Sequence, residues 1–333
     1  MDYIIYYGSG KYAYHGELMN KKNVKWLKSR RVNSPFVYTV SMYCLNFIPR
    51  WLGHSIGYFI AMAIYIFHRT ERLNIQYNLS ILLENNKSSF FIKKLSYSII
   101  KNFINSQMDL LKSIKSFLRN KPYAEKITLI KKNDFKPLDD MLSLKRGLIL
   151  ITGHIGLWEL GGVILSINGY PLTVVTYRDD KDVLEKKNQM RASLNINTVT
   201  IGQGYFESLN IARALRSEAI TALLIDRPVT RNTRETLLFG RRCYFSTDFF
   251  LLSKISGAPV LPTFIVLDRP GGKYKAIFGK PLVKCSGLNT PETEDYFRYL
   301  INLYKNIILE YNSQWYNFYP FFEETWQNDS SVQ

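Results

Sequence analysis

The sequence contains few cysteines and no recognisable metal-binding spacing. Only Cys44, Cys243 and Cys285 occur among 333 residues, and they lie far apart. No CxxC pair is present, which argues against a Cys/His zinc site, and the count is too low for a disulfide framework. Scattered cysteines in an odd number are typical of free thiols in a reducing compartment. We therefore expect the part of the chain that carries the chemistry to face the cytoplasm.

The sequence also lacks an evident secretory leader and an unbroken hydrophobic run of spanning length. Residues 1–22 contain no basic segment followed by an apolar one. The apolar stretch 36–67 is divided at Pro49 and Arg50 into two pieces, each shorter than the ~20 residues that cross a bilayer upright. Basic residues flank this stretch on both sides. We predict a helical hairpin lying in the membrane surface; a single tilted span and a buried core helix are the alternatives.

Acidic residues are scarce in the first half of the chain. Residues 1–150 hold 24 Lys and Arg against 9 Asp and Glu, a net charge of +15, whereas residues 151–333 hold 20 against 18, a net charge of +2. An anionic membrane surface is one partner for such charge, since each basic residue near the headgroups contributes about 1 kcal/mol. Nucleic acid is another, although no nucleic-acid-binding motif is present, and we predict no nucleic-acid partner. A solvated basic face without a partner is the third possibility.

The spacing of apolar residues changes character near residue 147. The segments 72–85 and 90–114 carry Leu and Ile at steps of three and four, which predicts helices. Short β-rich runs then alternate with helical segments, which predicts an α/β fold with a largely parallel central sheet flanked by helices. The Arg-rich segment 229–244 is expected to be a long surface loop. The strands are expected at 147–152, 171–178, 197–202, 219–226, 259–268 and 273–282.

We divide the chain into three regions on this basis. Residues 1–32 form a basic N-terminal tail, residues 33–120 a helical, membrane-associated region, and residues 121–325 the α/β domain that carries the chemistry.

His154 stands out among the four histidines. It follows a predicted buried strand, where ligands gather in open α/β sheets, and it precedes a helix that carries Glu159. Five helical steps would place the two side chains ~140° apart, so they can meet only if His154 lies in the turn before the helix. Glu159 would then accept a hydrogen bond from one ring nitrogen, leaving the other to take a proton from a substrate hydroxyl. A helix-capping histidine beside an incidental acid is the alternative.

The string GHIGLWELGG (153–162) closely resembles the His-x4-Asp/Glu block of the late acyltransferases of lipid A biosynthesis, the lauroyl/myristoyl transferase type within the lysophospholipid acyltransferase-like superfamily. His154, Gly156, Trp158 and Glu159 match that block one by one, as do the two glycines that follow. Further similar segments are Tyr177-Arg178, Met190-Arg191, LLID (223–226), residues 237–264 and NSQWYNFYPFF (312–322).

The resemblance implies a glycerolipid-acyltransferase-like fold and an acyl transfer. His154 would be the general base with Glu159 as its catalytic partner, moving a fatty acyl chain from an acyl carrier protein or coenzyme A thioester to a hydroxyl of a lipid A precursor or related glycolipid. No metal or other cofactor is implied, and the location would be the cytoplasmic face of the bacterial inner membrane. The candidate substrate-binding residues are Arg178, Asp226, Arg227, Trp158 and Gly156.

Departures from the family pattern leave the acceptor open. Arg227 follows Asp226 where the family often has Gln, and no basic residue follows Trp315. Another lipid, such as a lysophospholipid, a phosphatidylinositol mannoside or a specialised lipid, is the alternative acceptor. A non-catalytic basic membrane- or nucleic-acid-binding protein is the alternative from a different class. We expect the acyl chain to lie in a groove lined by Phe, Tyr and Leu residues of 237–252.

Overall fold

Three long helices precede an alternation of strands and helices in the computed structural model, which describes residues 11–14, 17–20, 48–84, 86–119, 123–177, 181–201, 207–227 and 232–323. The helices in these ranges are α1 (Arg50–Phe67), α2 (Arg69–Leu82), α3 (Ser89–Phe117), α4 (Tyr123–Ile127), α5 (Lys136–Leu142), α6 (Trp158–Ile167), α7 (Lys181–Ala192), α8 (Glu207–Arg216), α9 (Asp248–Ser256) and α10 (Pro291–Glu310). The strands are β1 (Lys11–Tyr14), β2 (Glu17–Asn20), β3 (Leu148–Thr152), β4 (Leu172–Tyr177), β5 (Ile196–Ile201), β6 (Ile220–Leu224), β7 (Thr233–Leu238), β8 (Arg241–Ser246), β9 (Val260–Leu267) and β10 (Tyr274–Phe278).

The central sheet has six strands in the order β10-β9-β3-β6-β4-β5. All of its pairings are parallel except that of β10 with β9. β3 lies between β9 and β6, and its first four residues are apolar and buried, as expected of a strand covered on both faces. The predicted α/β fold with a largely parallel sheet flanked by helices is confirmed.

The sheet separates two hydrophobic cores. Successive side chains of a strand point to opposite faces, so Ile149 and Ile151 of β3 belong to one core and Leu148 and Leu150 to the other. The first core includes α10. The second includes α6, whose turn from β3 carries His154. This arrangement holds that turn at the carboxyl ends of the strands.

The helices α1 and α3 pack closely because α1 presents small residues to α3. Gly53, Gly57 and Ala61 are the buried residues of α1. A Cβ atom at Gly57 would lie 2.3 Å from the side-chain oxygen of Asn105 in α3, so any larger residue there would displace the Asn105 side chain. None of the helices within the described ranges combines the length and apolar character needed to cross a bilayer. The first piece of the apolar stretch, residues 36–47, and residues 21–32 of the basic tail lie outside those ranges.

The prediction of a long loop at 229–244 is wrong for the residues that the structure describes. β7 and β8 form an antiparallel hairpin in which Leu238 pairs with Arg241. The two turn residues, Phe239 and Gly240, have φ angles of 53° and 70°. A two-residue turn with both φ values positive matches the twist of the flanking strands. Phenylalanine is an unusual residue in the first of these positions, so the sequence carried no clear hairpin signal.

Candidate active site

His154 lies in the turn between β3 and α6, as the sequence predicts. Three backbone hydrogen bonds fix this turn from two other segments. The amide of Gly156 donates to the carbonyl of Gln314 (2.9 Å), the amide of Leu157 donates to Ile265 (2.8 Å), and the amide of Tyr316 donates to the carbonyl of His154 (2.7 Å). The histidine backbone is therefore held between β9 and the segment that follows α10.

The carboxylate of Asp226 is the partner of the His154 ring. Nδ1 of His154 lies 2.7 Å from Oδ1 of Asp226, and the backbone amide of His154 donates to Oδ2 at 2.7 Å. The Asp226 side chain is fully buried, while 14% of the His154 side chain is exposed. Because a carboxylate can only accept, Nδ1 carries the proton and Nε2 presents a lone pair. Within the described ranges Nε2 has no hydrogen-bond partner.

Side chains from the C-terminal part of the chain complete the shell around Asp226. The hydroxyl of Tyr304 donates to Oδ2 at 2.8 Å and itself accepts from the indole of Trp315 at 3.0 Å. The amide of Asn317 donates to the same Oδ2 at 3.4 Å, and the hydroxyl of Tyr319 donates to the backbone carbonyl of Asp226 at 2.7 Å. The donors to Oδ2, Tyr304 and Asn317, hold the carboxylate in one orientation and favour its charged form.

The electrostatics of the pair favour a neutral histidine beside a charged aspartate. Burial lowers the pKa of His154 from its ordinary value, the positive charge of Arg227 lowers it further, and Asp226 opposes both effects. For Asp226, burial would raise the pKa, but the attraction and hydrogen bond of His154, together with Arg227, lower it to about 2. At neutral pH the imidazole is thus a free base at Nε2.

Glu159 does not form the expected hydrogen bond with a ring nitrogen of His154, because Asp226 already occupies that position. Glu159 lies in the first turn of α6 and forms its ion pair with Arg191 of α7, at 3.9 Å. Its negative charge nevertheless raises the pKa of His154. The helix start places Glu159 near the histidine without placing it in contact.

The other candidate residues that the structure describes, Trp158, Gly156 and Arg227, each make a different contact. Trp158 packs against His154 with ring centroids 4.9 Å apart. Gly156 has φ +63°, and a Cβ there would lie 2.0 Å from the carbonyl oxygen of Ile265, so a structural requirement accounts for this glycine. Arg227 donates to the carbonyl of Tyr316 at 3.0 Å. Arg178 lies outside the described residues.

The segment after α10 supports the site, a role that the family resemblance of residues 312–322, with its Gln314-Trp315 motif, does not predict. Gln314 exchanges two hydrogen bonds of 2.8 Å with the backbone of Leu267, which anchors this segment to β9. Trp315 then supports Tyr304, which in turn holds Asp226. The motif was the available signal, but its partners are remote in sequence.

An apolar cavity of about 140 Å³ lies between α6 and the sheet. Trp158, Glu159 and Arg191 line it together with Thr176 at the carboxyl end of β4, and the rest of the lining is mostly aliphatic side chains of α3, α6 and the strands. No residue of 237–252 lines this cavity. Phe245, Phe249 and Phe250 are instead buried in the first core, so these three side chains line no open groove, and an acyl groove along 237–252 stays a prediction.

Within the described ranges, no group of three or more His, Cys, Asp and Glu side chains is arranged to hold a metal ion. The comparisons with known proteins match the chain to one family model. Residues 19–323 match the model of a family described as bacterial lipid A biosynthesis acyltransferase. No curated protein matches the chain.

Proposed function

This chain belongs to the bacterial lipid A biosynthesis acyltransferase family and is an acyltransferase, and we propose that it moves a fatty acyl chain from an acyl thioester to a hydroxyl of a lipid A precursor or a related glycolipid. The donor is an acyl carrier protein or coenzyme A thioester. The observation that carries the proposal is the hydrogen bond between Nδ1 of His154 and buried Asp226, next to Trp158, which packs against His154 and lines an apolar cavity.

The proposed reaction is a direct transfer. Nε2 of His154 takes the proton of the acceptor hydroxyl while that oxygen attacks the thioester carbonyl carbon. The tetrahedral intermediate then collapses, the carbon–sulfur bond breaks, and the imidazolium returns its proton to the departing thiolate. Asp226 keeps the ring in the required tautomer and stabilises the imidazolium without taking its proton.

Glu159 has a supporting role in this proposal. Its charge stabilises the imidazolium through space, and its place at the cavity beside Arg191 suits contact with the acceptor or the thioester. Arg178, from its position in the sequence, is proposed to hold a phosphate of the acceptor, since a guanidinium matches phosphate bidentately. The positive charge of Arg227 lowers the pKa of both His154 and Asp226.

The apolar cavity is the proposed seat of the acyl chain. Cavities of about 150 Å³ lined by Leu, Ile and Phe stay dry and take up apolar ligands. Most of the lining of this cavity is likewise aliphatic.

The exposed face of α1 supports a membrane-bound location. Small residues of α1 face α3, whereas its large apolar residues face outward, with Trp51, Phe59 and Phe67 exposed to 69%, 72% and 81%. Exposed apolar surface of this extent marks an interaction site. Lys93, Lys94 and Arg69 are exposed on the same group of helices. We propose that this face lies on the anionic cytoplasmic surface of the bacterial inner membrane.

The reaction is tested by acyl transfer in detergent from labelled acyl carrier protein and from labelled acyl coenzyme A to a panel of lipid A precursors and lysolipids. Wild type, His154→Ala and the control His68→Ala are compared, since His68 lies at the end of α1. Transfer to a lipid A precursor by wild type and the control, lost in His154→Ala, supports the proposal. Transfer to lysolipids alone would show that the acceptor is a lysolipid and not a lipid A precursor. Transfer that survives in His154→Ala would show that the histidine does not take part in the mechanism.

The membrane location is tested by sedimentation with phosphatidylglycerol and phosphatidylcholine vesicles. We expect binding to the anionic vesicles that Phe59→Ser weakens. Equal binding by the variant would show that another surface carries the attachment.

A further inference from the structure

A second pocket adjoins the inner end of the apolar cavity. This pocket has a volume of about 280 Å³ and is lined by residues of α4, α6 and the segment 128–135, including Lys131 and Lys132. Ile130, Phe135 and Ile164 line both the cavity and the second pocket. These three side chains therefore form a partition between the two spaces.

The partition lies opposite the catalytic end of the cavity. Thr176, at the carboxyl end of β4, lines the cavity near Trp158 and Glu159, and Leu172, at the start of β4, lines its inner part. Four strand steps of about 3.3 Å separate the two, so the cavity runs about 13 Å along the strand. Ile164 lies two turns beyond the start of α6, in the same direction as Leu172. A chain entering beside His154 thus meets the partition last.

Phe135 is held firmly in the partition. Only 6% of its surface is exposed, and its ring packs on that of Tyr170 with centroids 5.6 Å apart. The hydroxyl of Tyr170 donates to Asp139 at 2.6 Å, which fixes that ring in turn. A rigid aromatic wall stops a chain at a defined depth, because close-packed side chains yield little to an inserted methylene.

We propose that Phe135, with Ile130 and Ile164, is the floor that sets the longest acyl chain the enzyme accepts, and that the pocket behind it receives additional methylenes once Phe135 is truncated. The inference rests on the proposed function of the cavity as the acyl site. Each methylene that the cavity can bury improves affinity about fourfold, and a chain too long for an apolar pocket is rejected by about 10–200-fold per methylene.

The test measures equilibrium binding of saturated fatty acids, from octanoate to stearate, to the full-length protein by displacement of a fluorescent fatty acid. Wild type, Phe135→Ala, Phe135→Leu, Ile164→Phe and the control Phe117→Leu are compared. Phe117 packs against the same core without lining either pocket. Phe135→Leu guards against poor folding of the alanine variant, and acyl transfer with donors of the same lengths is measured in parallel.

We expect wild-type affinity to rise with chain length to a maximum and then fall. Phe135→Ala, and to a smaller degree Phe135→Leu, should move the maximum to longer chains, because loss of the ring leaves space for additional methylenes beside Ile130 and Ile164. Ile164→Phe should move the maximum to shorter chains, and Phe117→Leu should leave it in place.

An unchanged maximum in both Phe135 variants overturns the floor but leaves the acyl transfer proposal intact. If the preferred chain length shifts but neither wild type nor any variant transfers an acyl chain, the floor is supported and the proposed reaction is contradicted. Failure of wild type to bind any fatty acid overturns the assignment of the cavity, and the floor with it.

Discussion

Oδ1 of Asp226 lies 2.7 Å from Nδ1 of His154, although 72 residues separate them in the chain. The two side chains lie at the carboxyl ends of the adjacent parallel strands β3 and β6. Such ends meet at one edge of an open sheet, where ligand sites form. The pairing of His154 with Asp226 is thus a property of the sheet, and the local spacing of His154 and Glu159 does not produce it.

Asp226→Asn is expected to lower kcat by about 10²–10⁴-fold. The asparagine amide can donate to Nδ1, which would place the ring proton on Nε2 and block proton uptake there. The measurement is steady-state acyl transfer, with circular dichroism to check folding. Asp295→Asn, a change on the exposed surface of α10, is the control and should keep wild-type activity. Near-wild-type kcat in Asp226→Asn would show that the tautomer is not set by this carboxylate.

In a profile of kcat/KM against pH, the loss of activity on the acidic side should have its midpoint below pH 6.5. Burial, and then the charge of Arg227, lowers the pKa of His154, and only the neutral ring accepts a proton. As pH falls, activity should therefore stay constant until about the ordinary pKa of histidine. It should then be lost as pH passes through the lower pKa that His154 has in the folded protein. Asp226, with its pKa lowered to about 2, stays charged throughout.

Arg227→Gln should move that midpoint upward, because it removes a positive charge that disfavours the imidazolium. Arg298→Gln, on the exposed face of α10, is the control and should leave the midpoint unchanged. A midpoint above pH 6.5 in wild type, or one that Arg227→Gln does not move, would contradict the assigned electrostatics.

The strand–turn–helix unit around His154 could be predicted from the sequence because its signals are local. The apolar run of β3 and the glycine in the turn are visible within a few residues. The partner of His154 could not be predicted from spacing, since Asp226 and Tyr304 reach it only through the packing of β6 and α10. The β7–β8 hairpin was missed because Phe239 occupies a turn position usually held by Asn, Asp or Gly.

Gly156→Ala should reduce the free energy of unfolding by about 2–5 kcal/mol. An alanine at positive φ costs about 1–2 kcal/mol, and overpacking adds about 1–3 kcal/mol, because the new Cβ would lie 2.0 Å from the carbonyl oxygen of Ile265. Gly169→Ala is a matched control, since it has φ +79° and open space around the Cβ position. Chemical denaturation should show only the smaller cost there. Equal costs would mean that the close approach to Ile265 is readily relieved.

Asp109→Asn should destabilise the attachment of α1 to the rest of the protein. Asp109 of α3 is 2% exposed and accepts from Arg50 at 2.8 Å and from Tyr274 of β10 at 3.0 Å. Removing one member of a buried ion pair leaves the other charge without compensation, at a cost of about 3–5 kcal/mol. Asp140→Asn breaks an exposed pair with Lys136 and should cost at most about 1 kcal/mol.

Denaturation of both variants checks this expectation about Asp109. A loss in Asp109→Asn no larger than that in Asp140→Asn would show that the cluster contributes little to stability.

Glu159→Ala should lower the rate less than His154→Ala does. Loss of the histidine removes the proton acceptor, which is worth about 10²–10⁴-fold. Loss of Glu159 removes a charge that raises the pKa of His154 from a distance, together with any contact to the substrates at the cavity, but it leaves the bond to Asp226 intact. The acid limb should accordingly shift to lower pH in both Glu159→Ala and Glu159→Gln. An equal loss of rate in the Glu159 and His154 variants, without such a shift, would place Glu159 in the proton transfer itself.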